Sequence, residues 1–361
     1  MLEEKRRFNL ILRNTSEIIT NLDLMNILQE KKLRGYIGVE PSGFFHIGWI
    51  IWVEKLKDLL NAGVDMVFFT ATWHSWINDK LEGNMETIKD CASYLKHCLF
   101  ALGVKSEKLS FIDAKELVND SDYWALVLRV AKQLTLARVR RAMTIMGRTK
   151  HEASLDFSKL IYPAMQISDI LYLNLDLCLG GTDQRRAHIL AREVSSKLAK
   201  KKPIAIHTPL LIGLSGLRRM NASEITQEDL LNFKMSKSKP ETCIFIHDKM
   251  EEVENKLLSA YCPPKQIAHN PLIEVNRNLL FTEKGFRLDI DRPRKYGGSI
   301  SVDSFKGLCL KYEAGEIHPL DLKKATAMAL NLKLNIVRSY FKDNSEAREL
   351  YNKFAKSTTS R

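Results

Sequence analysis

The sequence predicts an α/β fold: a doubly wound parallel sheet with a helical insertion, followed by an all-α C-terminal domain. Three observations lead there. Apolar runs rich in β-formers alternate with helix-period segments up to about residue 240. A basic helical stretch over residues 122–146 interrupts that alternation. After Pro240 strand–helix pairs cease, and helical segments separated by Pro- and Gly-marked loops take over.

Residues 1–34 read as helix, with Phe8, Ile11, Leu12, Ile18, Ile19, Leu22 and Leu24 recurring at apolar positions. The first strand follows at residue 35, with Tyr36, Gly38 and Glu40 on one face and Ile37 and Val39 on the other. Pro41, Ser42 and Gly43 break it, and residues 50–60 resume at helical spacing. His46 and Gly48 therefore fall near a helix N-terminus, where free N–H groups and the helix dipole favour anions. Gly48 lets a flat base or ribose approach the backbone. Residues 64–72 read as a buried strand. Trp73-His74-Ser75-Trp76 follows at its C-terminal end, where open α/β sheets bind ligands. His74 suits a pocket wall and a structural histidine equally. Helix is expected over 84–102 and 183–200, and strands over 108–112 and 175–179. The expected domains are a helical segment at 1–34, a sheet domain at 35–240 with its insertion at about 115–155, and a helical domain at 241–361.

The 361 residues carry 55 basic and 43 acidic side chains, a formal charge of +12 that suits a polyanionic partner such as nucleic acid. Residues 1–14 mix Glu, Lys and Arg without a signal-peptide apolar core, and no apolar run is long enough to cross a membrane. The six cysteines form no Cys-x-x-Cys pair and read as reduced packing residues of a cytoplasmic protein, with no metal site. Cys243 and His247 have a metal-like spacing but no second pair.

Tyr162, Gln166 and Asp169 fall at i, i+4 and i+7, one stripe of an otherwise apolar helix. Three polar groups there need partners, in a structural network or in a ligand, and Tyr36 and Glu40 suit the opposite wall. Gly180-Gly181-Thr182-Asp183-Gln184 lies between a strand and a helix. Asp183 there suits ribose hydroxyls or, more plainly, a helix cap.

Seven blocks occur in order: residues 35–43, His46-Ile-Gly48, 161–170, 180–185, Lys234-Met-Ser-Lys-Ser238, 260–263 and 318–323. Together they resemble tyrosyl-tRNA synthetases of the archaeal and eukaryotic type, class I enzymes, over roughly residues 30–335. The resemblance implies a Rossmann-like catalytic domain with a dimer-forming insertion, and a helical anticodon-binding domain. It implies a homodimer whose substrates are tyrosine, ATP with its Mg²⁺, and tRNA(Tyr). It assigns transition-state stabilisation to His46, Lys234 and Lys237, and ATP binding to Gly48, Gly181, Asp183 and Ser236. Tyrosine would meet Tyr162, Gln166 and Gln184 at its backbone end and Tyr36 with Asp169 at its phenol, with Glu40 also among the tyrosine-binding residues. For tRNA the matching positions are Arg141 and Arg185 at the acceptor end, and Tyr296, His318 and Asp321 on the anticodon side.

Three features depart from the family pattern. Trp49 stands where a second His or similar polar residue is usual, Thr72 replaces a common Asp, and residues 213–233 are longer than the usual run into the lysine loop. Three other readings compete. A tryptophanyl-tRNA synthetase shares the motifs, but Tyr36 with Asp169 suits a hydroxyl rather than an indole. A non-catalytic RNA-binding relative would be marked by loss of His46 or the lysines, all of which are present. A small-molecule nucleotidyltransferase leaves the C-terminal third unexplained.

Overall fold

The structure is a computed structural model that describes residues 2–29, 32–143, 156–217, 229 and 232–359, with side chains through residue 355. By contacts it divides into two units. One comprises Met1–Gly43, Trp52–Pro209 and Glu346–Arg361; the other comprises Phe44–Ile51 and Leu210–Ser345.

The first unit is built on a sheet of six strands: β1 (Glu17–Ile19), β2 (Leu33–Val39), β3 (Val64–Thr70), β4 (Leu109–Asp113), β5 (Leu177–Gly181) and β6 (Ile204–Thr208). Their order is β1-β6-β5-β2-β3-β4, parallel throughout except for the antiparallel edge β1. β3 and β6 are buried almost end to end, as strands covered on both faces must be. Strand order reverses between β2 and β5, where Tyr36 pairs with Cys178 and Ile37 with Leu179. Beyond the carboxyl ends of these two strands lies the crevice in which such sheets bind ligands. Gly35 permits the close packing there, since a Cβ would stand 2.7 Å from Met66 Sδ.

The helices of this unit include α1 (Leu2–Leu12), α2 (Asn21–Ile27), α3 (Ile50–Asn61), α4 (Thr72–Ile77) and α5 (Met85–Ala101). The expected insertion supplies α6 (Ala114–Val118), α7 (Ser121–Ala131) and α8 (Leu136–Ala142), and its end at 144–155 lies outside the described residues. α9 (Ser158–Tyr172) and α10 (Arg185–Lys197) follow.

The continuous helix expected over 1–34 is two helices with β1 between them. The three residues of β1 carry too short a pattern to stand out, and they are held by pairing with distant β6, from Glu17↔His207 to Ile19↔Ala205. The C-terminal region is helical but not all-α: β7 (Leu288–Ile290) and β8 (Ile300–Val302) form an antiparallel pair. The contact division at Pro209 differs from the boundary expected near 240: the run into the lysine loop hydrogen bonds within the second unit, Leu214 N–H to Thr242 O at 2.9 Å and Tyr261 N–H to Leu214 O at 2.8 Å. The last helix, Ser345–Thr359, groups with the first unit: Phe354 stacks on Tyr94 at 5.9 Å, and Lys353 pairs with Asp90 of α5. Much of the 213–233 segment lies outside the described residues.

Candidate functional site

In the first unit, β2 and α9 carry a connected polar network. Gly38 leaves room on β2 for the ring of Tyr36 two residues away, from which a Cβ would lie 3.1 Å. Tyr36 and Asp169 are each only 2% exposed, so any polar group they present must be satisfied inside the protein or by a ligand. Burial chiefly, then the electrostatic influence of neighbouring Cys178 and Asp169, lifts the Tyr36 phenol well above its ordinary range, with Gln166 hydrogen bonding against it. It stays a neutral donor.

Asp169 is a hub. Its Oδ1 accepts from the Tyr123 hydroxyl at 2.8 Å, and its Oδ2 lies 3.1 Å from His74 Nε2, close enough to pair but out of line for a hydrogen bond. Burial works to lower the His74 imidazole, but Asp169 outweighs it and the net shift is upward. The His74 ring stands edge-on to Tyr162 at 5.0 Å. His74 is therefore a buried partner of the carboxylate. Tyr123, buried on α7, is the group that sequence reading missed; it sits 46 residues from Asp169 in a stretch that read only as a basic helical insertion.

The other end of the stripe centres on Glu40. It accepts from the Tyr162 hydroxyl at 2.7 Å and from Asn78 Nδ2 at 3.1 and 3.2 Å. Burial first, then Glu40, pushes the Tyr162 phenol well up. Gln166 Nε2 donates to Gln184 Oε1 at 3.0 Å. The buried Gln166 Oε1 has no hydrogen-bond partner among the described residues, an acceptor placed for an incoming N–H group. Asp183 is not the helix cap. It lies inside the turn Thr182–Gln184, whose cap position is Gly181 and has no side-chain cap bond. Thr72 donates to Asp113 Oδ1 at 2.7 Å and Thr70 to Oδ2 at 2.9 Å, so the hydroxyl at 72 ties α4 to the end of β4.

The second unit holds His46, Gly48, Trp49 and the lysine loop. His46 bridges Phe245 in backbone pairing, and Ile47 N–H donates to Ile244 O at 2.9 Å. At Gly48 a Cβ would lie 3.0 Å from Cε1 and Nδ1 of the His46 ring, so a side chain there would crowd the imidazole. Burial, then Lys237 and Lys234, holds the His46 imidazole well below its ordinary range, so it is neutral at pH 7. Its buried Nδ1 has no hydrogen-bond partner among the described residues. In the loop, Lys234 bridges Ile212, Met235 N–H donates to Leu211 O at 2.7 Å, and Ser236 Oγ meets Ser238 Oγ at 2.9 Å. Glu274 accepts from Ile212 N–H at 3.1 Å beside it, its carboxyl pushed up by burial to about 7.

The remaining positions are dispersed. Arg141 ends α8. Arg185 opens α10 and is paired with Glu17 of β1 at 2.8 Å. Tyr296 is 63% exposed, and His318 caps the helix Pro319–Asp343, its Nδ1 accepting from Leu320 N–H at 3.2 Å. Asp321 lies in the first turn of that helix. No group of three or more metal-ligating side chains occurs among the described residues, and none of their helices is long and apolar enough to cross a membrane.

Comparison with known proteins gives these features a family. The family model described as tRNA synthetases class I (W and Y) matches residues 28–335, and the chain belongs to that class. It is 52% identical over 359 residues to the tyrosine–tRNA ligase of Sulfurisphaera tokodaii, covering 99% of this chain and 98% of that protein. The tyrosine–tRNA ligase of Sulfolobus acidocaldarius is also 52% identical, over 98% of both chains. The crystal structure of tyrosyl-tRNA synthetase from Aeropyrum pernix matches with a TM-score of 0.87 at 44% identity, over 98% of this chain and 99% of that one. That from Pyrococcus horikoshii, complexed with L-tyrosine, matches with a TM-score of 0.90 at 37% identity, over 97% and 99%. Within the class, the chain belongs to the tyrosyl-tRNA synthetases.

Proposed function

We propose that this chain is a tyrosine–tRNA ligase. A tyrosine carboxylate oxygen attacks the α-phosphorus of ATP, the bond to the β-phosphate oxygen breaks, and pyrophosphate leaves with the electron pair. The tyrosyl group then passes from the adenylate to the terminal ribose of tRNA(Tyr), releasing AMP. The observation that carries the reading is Asp169: a buried carboxylate braced by Tyr123 and His74, with the Tyr36 phenol nearby. A phenol hydroxyl can donate to Asp169 and accept from the Tyr36 phenol, whereas an indole N–H can only donate.

In this reading Tyr36 and Asp169 hold the substrate phenol. Tyr162, Gln166, Gln184 and Glu40 hold its backbone end, with the unpartnered Gln166 Oε1 accepting from the α-ammonium. Gly48, Gly181 and Asp183 are assigned to adenosine, and Ser236 to ATP. Neutral His46 donates a hydrogen bond without adding charge, while Lys234 and Lys237 supply cations to the phosphates. Mg²⁺ arrives with ATP as part of that substrate.

We assign Arg141 and Arg185 to the acceptor end of the tRNA, and Tyr296, His318 and Asp321 to the anticodon. Exposed Tyr296 is open to stacking on an unpaired base. The test is charging of tRNA(Tyr) with labelled tyrosine. Asp321→Ala is expected to lower charging about ten-fold or more while leaving adenylate formation within about two-fold. A parallel fall in adenylation would make Asp321 a structural residue.

A homodimer through the insertion is part of the reading, supported by the exposure of Leu128 (71%) and Leu136 (54%) there. Light scattering is expected to give about twice the 41.4 kDa chain mass, and a monomer would contradict it. A cytoplasmic location belongs to the same proposal, since the substrate is tRNA.

A further inference from the structure

The residue that departs from the family pattern in the first motif touches the second motif. Lys237 Nζ lies 3.8 Å from the centre of the Trp49 ring. Trp49 is itself fixed: its N–H donates to His46 O at 2.9 Å, the Phe45 ring meets it edge-on at 5.2 Å, and the His46 ring lies 5.5 Å away. The loop backbone is anchored at buried Met235, two residues before Lys237, through Leu211. Beyond that anchor the ammonium has a long, flexible stem, and an indole face is the strongest aromatic partner for a cation. We infer that Trp49 is a positioning residue for Lys237, holding its ammonium beside His46 so that less side-chain freedom is lost when the charged phosphates arrive.

The direction follows from the geometry. After burial, Lys237 is the charge that acts most strongly on His46, and both contact Trp49, so the two groups address the same region. A pre-placed cation strengthens stabilisation of the phosphoryl transition state without changing how tyrosine is bound. The inference rests on the proposed role of Lys237 in adenylation, and the experiment separates the two.

The experiment is ATP–pyrophosphate exchange on the full chain with Trp49→Leu and Trp49→Phe, each in the wild-type and the Lys237→Ala backgrounds. In the wild-type background Trp49→Leu is expected to lower kcat roughly ten-fold with the KM for tyrosine unchanged. Trp49→Phe, which keeps a ring, is expected to lose only about two- to four-fold, and it covers the case in which the leucine variant fails to fold. In the Lys237→Ala background neither substitution is expected to change kcat by more than about two-fold. Equal losses in both backgrounds, a leucine variant as active as the phenylalanine one, or a rate gain would overturn the inference. Full activity of Lys237→Ala alone would instead remove the proposed role of Lys237 itself.

Discussion

Asp169→Ala is expected to lower kcat/KM for tyrosine activation by roughly 100-fold and to leave phenylalanine activation within about ten-fold of its starting value. The carboxylate accepts from Tyr123 and lies beside His74, yet an ionised carboxylate has about four acceptor positions, so capacity remains for a third hydroxyl. Removing it strands the substrate phenol and the Tyr123 hydroxyl in a site where Asp169 and Tyr36 are each 2% exposed. Phenylalanine brings no hydroxyl and so has less to lose. Asp169→Asn keeps the shape and part of the acceptor capacity, and is expected to fall between wild type and alanine. Steady-state exchange kinetics with both amino acids measure the ratio. An unchanged ratio in the alanine variant would place the phenol elsewhere.

Lys234→Ala and Lys237→Ala are each expected to lower the rate of tyrosyl-adenylate formation about 10²- to 10³-fold, with the dissociation constant of tyrosine changed by less than about two-fold. The side chains proposed to hold tyrosine do not include the two lysines, which are assigned to the phosphates, so ground-state binding of the amino acid is expected not to need them. Charge that develops on the transferring phosphoryl group does. Rapid-quench measurement of the adenylate together with equilibrium binding of tyrosine separates the two quantities. Matching losses in both would make the lysines binding residues.

Much of this was legible in one dimension because local periodicity reports faces. The stripe Tyr162, Gln166, Asp169 on α9 and the alternation of Tyr36, Gly38 and Glu40 at β2 are properties of single elements. Partners distant in sequence are another matter. Glu40 meets Tyr162 across 122 residues, and Tyr123 meets Asp169 from a stretch that read only as a basic helix. β1 is three residues long and owes its conformation to β6, and the β7–β8 pair is equally short. Gly48 shows a different limit: its missing side chain reads as room for a ligand, and only the structure adds that a Cβ there would come within 3.0 Å of the His46 ring. Trp49 was visible as a departure, but only its contact with Lys237 gives it a role to test.

The central claim is that the carboxylate network on α9 selects a phenol. ATP–pyrophosphate exchange by the wild-type chain, run separately with tyrosine, phenylalanine and tryptophan, tests it most directly. The account predicts exchange with tyrosine at a kcat/KM several orders of magnitude above either alternative. Exchange led by tryptophan, or comparable rates for tyrosine and phenylalanine, would contradict it.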